Sequence, residues 1–332
     1  MKFVLLLSIF FLVANGNTCV WDEDTVVDEL VVKENTKVFD IITGQFAHHS
    51  ELYYQHRISN LLSKSSLSDR EKNNLAVSYI RIKRFDLAEK ILLSLLEKNP
   101  NKYEVLSNLG VLSKKKRDYR SAVFYMKKAL KIKPEGHMGL GDWYLKMLKW
   151  YAKYNGKIAQ ENFLGASYNN QRFYDNFSSE SMEKLLTLLR NDQHFIDGFI
   201  VLGRVLESRG HKSLAIMSYL KKFKNRTELF RFMNITKKGR EIHTHLNAAK
   251  KSVKKSQRWL KQFHTVEKLL LKEDKLPSFK LTHQKLKQSG IEKYRPKKIK
   301  YEEDEDLWAD DFSSEDEYLD NEDPDSEDDE EW

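Results

Sequence analysis

The chain has 332 residues, 40% of them apolar, with only 13 glycines and five prolines, which is enough for a sizeable core and too little turn-forming material for an all-β protein. A formal charge of +8 conceals an asymmetry: all 57 Lys and Arg residues lie in the first 300 positions, whereas residues 301–332 hold 19 acids and no base. Cys19 is the only cysteine, so an internal disulfide is excluded and packing alone must stabilise the fold.

Residues 1–16, MKFVLLLSIFFLVANG, carry one lysine, an apolar run from Phe3 to Val13, and the small residues Ala14 and Gly16. The run falls short of the ~20 residues a membrane span needs, so the segment reads as a signal peptide with the mature chain starting near Asn17. The expected location is therefore exported: periplasmic, cell-surface or secreted. Cys19 reads as an unmodified thiol, with lipid attachment as the alternative.

Residues 17–68 read as an N-terminal loop followed by capping helices. Within them Val38 to Lys64 has two helical segments suited to closing the front of a larger array.

That array is announced by an internal repeat over 69–136. Leu75 and Leu109, Ala76 and Gly110, Phe85 and Tyr119, Ala88 and Ala122, and Pro100 and Pro134 are each 34 residues apart. Ala76 and Ala88, Gly110 and Ala122, and Gly203 and Ala215 are small residues twelve apart. Such pairs let two antiparallel helices close to about 8–10 Å where they cross. Ala88, Leu92 and Leu95 then line one face of the second helix, and the proline ends it.

The pattern resembles the tetratricopeptide repeat, with Tyr79 also among the positions that set the fold. It covers Asp69–Lys102 and Tyr103–Gly136, and Val201–Phe223 is a degenerate copy with Lys212 where the aromatic belongs and no closing proline. The elements CVWDEDT, LYYQHR, HMG and NFLG also resemble those of a family of bacterial exported tetratricopeptide proteins, a likeness that implies export and no particular activity. The fold expected is all-α: a short right-handed solenoid of helical hairpins with capping helices, a long C-terminal helix and a disordered acidic tail.

In tetratricopeptide arrays the first helix of each unit lines a concave groove. The resemblance thereby implies a partner-binding face made by Arg70, Asn73, Val77, Arg81, Ser107, Asn108, Val111 and Lys115. The family's carboxylate clamp of lysines, an arginine and asparagines is matched here only by Asn108.

Residues 137–236 read as degenerate helical repeats, with a helix from Met138, another at Ser181–Arg190, and an inserted loop between them. The stretch YNNQRFYDNF, Tyr168–Phe177, has the tyrosine and asparagine content of binding loops, against the alternative that it packs on its own helices.

Residues 237–300 hold 20 bases against five acids. From Lys237 to Asp274 a heptad-like seam places Leu246, Val253 and Leu260 beside Ala249, Ser256, Phe263 and Leu270, which suits either a coiled coil or a rear cap. Its lysines suit polyanions or an anionic membrane surface, and no module for specific nucleic-acid recognition is present. The acidic tail, 301–332, has too little apolar surface to offset its ordering entropy. It is expected to screen the basic segment from outside polyanions.

There is no placed Cys/His pair, glycine-rich phosphate loop or HExxH. His243 and His245 lie two apart on a helical pattern, and His48 and His49 have no nearby ligand at metal-site spacing. No cofactor, metal or catalytic residue is expected. The function expected is an exported scaffold that binds a protein or peptide in its groove, the alternative being an envelope organiser that binds polyanions through residues 237–300.

Overall fold

A computed structural model describes residues 36–44, 46–136, 139–157, 159–220 and 257–291. The expectations placed on the signal segment, Cys19, His243 and His245, the upper half of the C-terminal seam and the acidic tail lie outside these residues. Among the described residues there are thirteen helices and no strand. They are α1 (Val38–Thr43), α2 (Glu51–Leu62), α3 (Asp69–Arg81), α4 (Phe85–Lys98), α5 (Tyr103–Lys115), α6 (Tyr119–Ile132) and α7 (Gly141–Tyr154). There follow α8 (Gln171–Asp175), α9 (Ser179–Asn191), α10 (Ile196–Ser208), α11 (Lys212–Leu220), α12 (257–272) and α13 (Phe279–Gln288). The fold is an all-α, tetratricopeptide-like solenoid.

The array begins at a capping box. Ser68 Oγ accepts the Glu71 N–H at 3.3 Å, and the Glu71 carboxylate accepts the Ser68 N–H at 2.9 Å, so two otherwise orphan donors at the start of α3 are satisfied. From there the periodicity is carried into the backbone. The bounds of α5 and α6 are those of α3 and α4 displaced by 34 residues. The pair α10 and α11 starts with the same offset of 16 residues between its helices as the first two pairs, 196 to 212 against 69 to 85 and 103 to 119. The third copy therefore keeps the unit's geometry without its aromatic and proline.

The prolines act through the residue before them. Asn99 and Lys133 have nearly the same extended conformation, φ −141°, ψ 89° and φ −137°, ψ 89°. A following proline disfavours the helical region there, so α4 and α6 stop at Lys98 and Ile132.

Between the helices the small residues lie in the core. Ala76, Ala88, Ala122 and Ala215 are fully buried, and Leu92, Leu95, Val105, Leu109 and Leu112 join the first two alanines in one cluster that ties α3, α4 and α5 together. At Gly110 a Cβ would meet the end of Met126 at 3.2 Å and the Ala122 carbonyl at 3.5 Å. At the third crossing a Cβ on Gly203 would run into the ring of Tyr219, which stands sixteen residues on as Met126 does from Gly110, so a ring occupies the place of a flexible side chain.

Two placements differ from the sequence reading. Among the described residues α2 covers the front, packing on α3 through Ile58, Leu61 and Leu75, and α1 packs against α9 and α11. The described C-terminal helices pack on the segment that precedes α2, and much of the stretch read as a rear cap lies outside the described residues. Phe263 and Leu270 of α12, with Phe279 and Leu286 of α13, bury Phe46 and Ala47 in the segment leading into α2. The reason is polar as well as apolar: Glu267, fully buried in α12, accepts the Ser50 N–H at 2.9 Å and is bonded to His49 Nδ1 at 2.6 Å.

The insertion between α7 and α9 also packs inward. Asp197 of α10 is fully buried, and its carboxylate accepts the Phe163 N–H at 2.8 Å and the Tyr168 hydroxyl. Asn162 donates to Tyr174 Oη at 3.1 Å and accepts the Leu164 and Ala166 N–H groups. Tyr168, Tyr174 and Phe177 are thereby buried, so these three aromatic side chains of the loop serve the fold, while Phe173 is half-buried.

Candidate protein-interaction site

The eight groove residues separate into two sets. Asn73, Val77, Ser107, Asn108 and Val111 are buried, whereas Arg81 is half-buried and Arg70 and Lys115 are exposed. The expectation of an open groove along α3 and α5 is corrected for the first set. From Val105 to Ser113 every residue of α5 is buried, so the helix is covered on all sides. Asn73 and Asn108 use their polarity on each other, Asn108 Nδ2 donating to Asn73 Oδ1 at 2.9 Å. Asn108 Oδ1 and Ser107 Oγ find no hydrogen-bond partner among the described residues.

What remains reachable is Arg70 in the first turn of α3, and the C-terminal end of each helix with the turn after it. Arg81 closes α3 and Lys115 closes α5, at equivalent places in successive repeats. Cations there are favoured by the partial negative charge of a helix C-terminus. Both turns are Schellman motifs. In the first, Arg84 N–H reaches Tyr79 O at 2.9 Å and Lys83 N–H reaches Ile80 O at 3.2 Å; in the second, Asp118 N–H reaches Ser113 O and Arg117 N–H reaches Lys114 O, both at 2.9 Å. The residue at the centre must take the left-handed conformation. It is Lys83 at φ 62° in the first repeat, Arg117 at φ 64° in the second and Gly210 at φ 82° in the third.

The third copy therefore has the residue this geometry favours, and the first two have cations that pay about 1 kcal/mol for it. Sequence reasoning missed Lys83 and Arg117 although the signal was present. Both lie seven residues beyond the small residue of their repeat, as Gly210 does beyond Gly203.

Charge around these turns is only partly neutralised. Lys114 is bound to Asp192 in the turn between α9 and α10, with both side chains nearly buried, and lies over the Tyr151 ring at 5.4 Å. Lys116 is paired with Glu89 at 2.8 Å. Arg81 has the Tyr54 ring beneath it at 5.9 Å, and its buried Nε has no hydrogen-bond partner among the described residues.

Lys115 is exposed by area yet crowded by neighbouring atoms, as a side chain in an open-mouthed concavity is. This crowding, followed by the charges of Arg81 and Lys114, pulls its ammonium down to about 8; Asp192 acts in the opposite sense and Lys83 adds to the repulsion. His48 lies beyond Arg81. Burial comes first among the causes that lower its pKa, and His264 and Arg81 add to the effect against Phe46 O and Glu267. Cationic or cationisable groups thus converge from α3, α5, α12 and the segment before α2. Among the described residues no three His, Cys, Asp or Glu side chains are grouped to hold a metal ion.

The fold and this site define a class: a helical-repeat protein with a cationic edge and a sealed interior. Residues 33–131 match the coatomer epsilon subunit family, itself a tetratricopeptide-like helical-repeat family; the match spans α1 to α6 and leaves α7 to α13 outside it. No curated protein and no solved structure matches the chain.

Proposed function

We propose that this chain is an exported, non-enzymatic scaffold that binds a protein partner at the open ends of its first two repeats. The observation that carries the reading is the recurrence of Arg81 at Lys115, solvent-reachable cations at one place in successive units in which Asn73, Val77, Ser107, Asn108 and Val111 are buried. Similarity of 33–131 to a subunit of coatomer supports a role in assembly with other proteins. Export rests on residues 1–16 alone.

Site-specific photocrosslinking in cells tests it. Crosslinkers at positions 81 and 115 are expected to capture the same discrete protein, and crosslinkers at the exposed outer positions 97 and 127 are expected not to capture it. Capture confined to 97 and 127 overturns the assignment.

A further inference from the structure

Resting on the scaffold reading, we propose that the edge made by the ends of α3 and α5 and the turns that follow them binds an extended, carboxylate-rich segment of the partner protein.

The first ground is the charge balance. Residues 81–84 and 114–117 contain seven bases. Lys114 is held by Asp192 and Lys116 by Glu89. Arg81, Lys83, Arg84, Lys115 and Arg117 have no ion pair or hydrogen bond from their side chains among the described residues. The acids nearby are already engaged or few: Asp118 caps Ser121 N–H at 3.1 Å, and Asp86 lies in the first turn of α4. The local fold leaves an excess of positive charge that its own carboxylates do not cancel.

The second ground is independent of charge. A left-handed residue favours glycine, and the third repeat has glycine there. Lysine and arginine at the two equivalent turns cost stability and contribute nothing to the turn that glycine would not. Strain retained at equivalent positions with the same sign of charge points to selection for the side chain.

Geometry then decides among anions. Packed helix axes lie about 8–10 Å apart, and an extended chain advances about 3.3 Å per residue. Cations repeating once per helical unit therefore meet acids about every third residue of an extended peptide, whereas a single compact phosphate reaches one unit. A membrane surface fits less well. The large exposed apolar side chains of this region, Leu87 and Leu93 on α4 and Phe124 and Ile132 on α6, lie on the second helices and none is in either turn.

Fluorescence anisotropy with labelled oligoglutamate and the full chain tests the proposal. Binding is expected at low salt and is expected to weaken as salt rises. The Arg81→Gln/Lys115→Gln and Lys83→Gly/Arg117→Gly double variants are each expected to weaken it about tenfold. The second pair removes charge while relieving strain, so a retained or raised melting temperature separates lost binding from lost folding. Lys261→Gln/Lys268→Gln, on the exposed face of α12, is expected to leave affinity unchanged within about twofold.

Equal binding of oligoglutamine, unaltered affinity in both double variants, or binding of phosphatidylserine vesicles without binding of oligoglutamate overturns the proposal. If crosslinkers at 81 and 115 capture a partner that the double variants bind as tightly as the parent chain, the acidic-segment reading fails and the scaffold reading stands.

Discussion

Glu267 and His49, 218 residues apart in the chain, are joined at 2.6 Å from Oε1 to Nδ1, and the second carboxylate oxygen accepts the Ser50 N–H at 2.9 Å. The glutamate is fully buried and the histidine ring is stacked on Tyr53 at 3.6 Å. Burial pushes the Glu267 carboxyl up, but the bonds from His49 and Ser50 outweigh it and leave it below its usual value.

Glu267→Ala should therefore cost about 3 kcal/mol, because Ser50 N–H and His49 Nδ1 lose their partner in a closed site. The sign of the pH dependence follows from the depressed carboxyl. Its stabilisation is complete above the ordinary carboxylate range and is lost as pH falls through the lowered folded value. Urea unfolding of the parent chain, Glu267→Ala and Glu267→Gln across this range measures both; a parent chain that loses no more stability than Glu267→Gln on acidification contradicts the account.

Replacing the left-handed cations should stabilise. Lys83→Gly and Arg117→Gly are each expected to gain up to about 1 kcal/mol, since each relieves a strained φ at an exposed position. Thermal melts monitored by circular dichroism read the gain, and a lower melting temperature for both would show that Lys83 and Arg117 hold the turns by some other means.

Two buried glycines should respond in opposite ways to the same change. Gly203→Ala forces a methyl group onto the Tyr219 ring, whose hydroxyl is fixed on Glu207 at 2.8 Å, and should cost about 1–3 kcal/mol. At Gly110 the nearest atom is the flexible end of Met126, and alanine gains up to about 1 kcal/mol of helix propensity, so the substitution should be neutral or stabilising. Equal losses at both sites would refute the comparison.

Binding of an acidic peptide should be sensitive to mildly alkaline pH. Crowding, Arg81 and Lys114 bring Lys115 down to about 8, so it loses its charge as pH rises through that value while Arg81 stays charged. Affinity for oligoglutamate is expected to fall between pH 7 and 9 by roughly the effect of one cation. Lys115→Arg should flatten the profile; an unchanged slope in that variant assigns the titration elsewhere. The same lowered value makes the Lys115 contribution to folding more favourable as pH rises from the folded value toward the ordinary lysine range, because the unfolded chain then binds the additional proton.

The repeat was legible because it rests on local rules. The residue before each proline, the small residues at helix crossings and the 34-residue offset all act within one or two helices, and Ala76, Leu109 and Ala122 lie in the core accordingly. What escaped is contact between distant segments. Nothing near Asp197 in sequence indicates that Phe163 and Tyr168 will bind it, and nothing near Glu267 points to Ser50. The burial of five of the eight groove positions escaped for the same reason. Asn108 and Val111 are polar-then-apolar in a way that suits an open face, and only the chain that covers α5 decides that they are buried. Arg70, Arg81 and Lys115 stay at or near the surface because a charged side chain at a helix end remains there whichever segment folds over the rest.

The tie between Glu267 and His49 also bears on how the molecule comes apart. In a linear array each unit touches only its neighbours, so end units can fray while the middle persists. Here the segment that leads into α2 is gripped by α12 and α13, and α1, only a few residues earlier, is gripped by α9 and α11. Releasing the first helices breaks contacts made by the last ones, so neither end can loosen independently. Unfolding should consequently proceed in one step and not unit by unit, with α1, α2, α12 and α13 protected from proteolysis until the whole array opens.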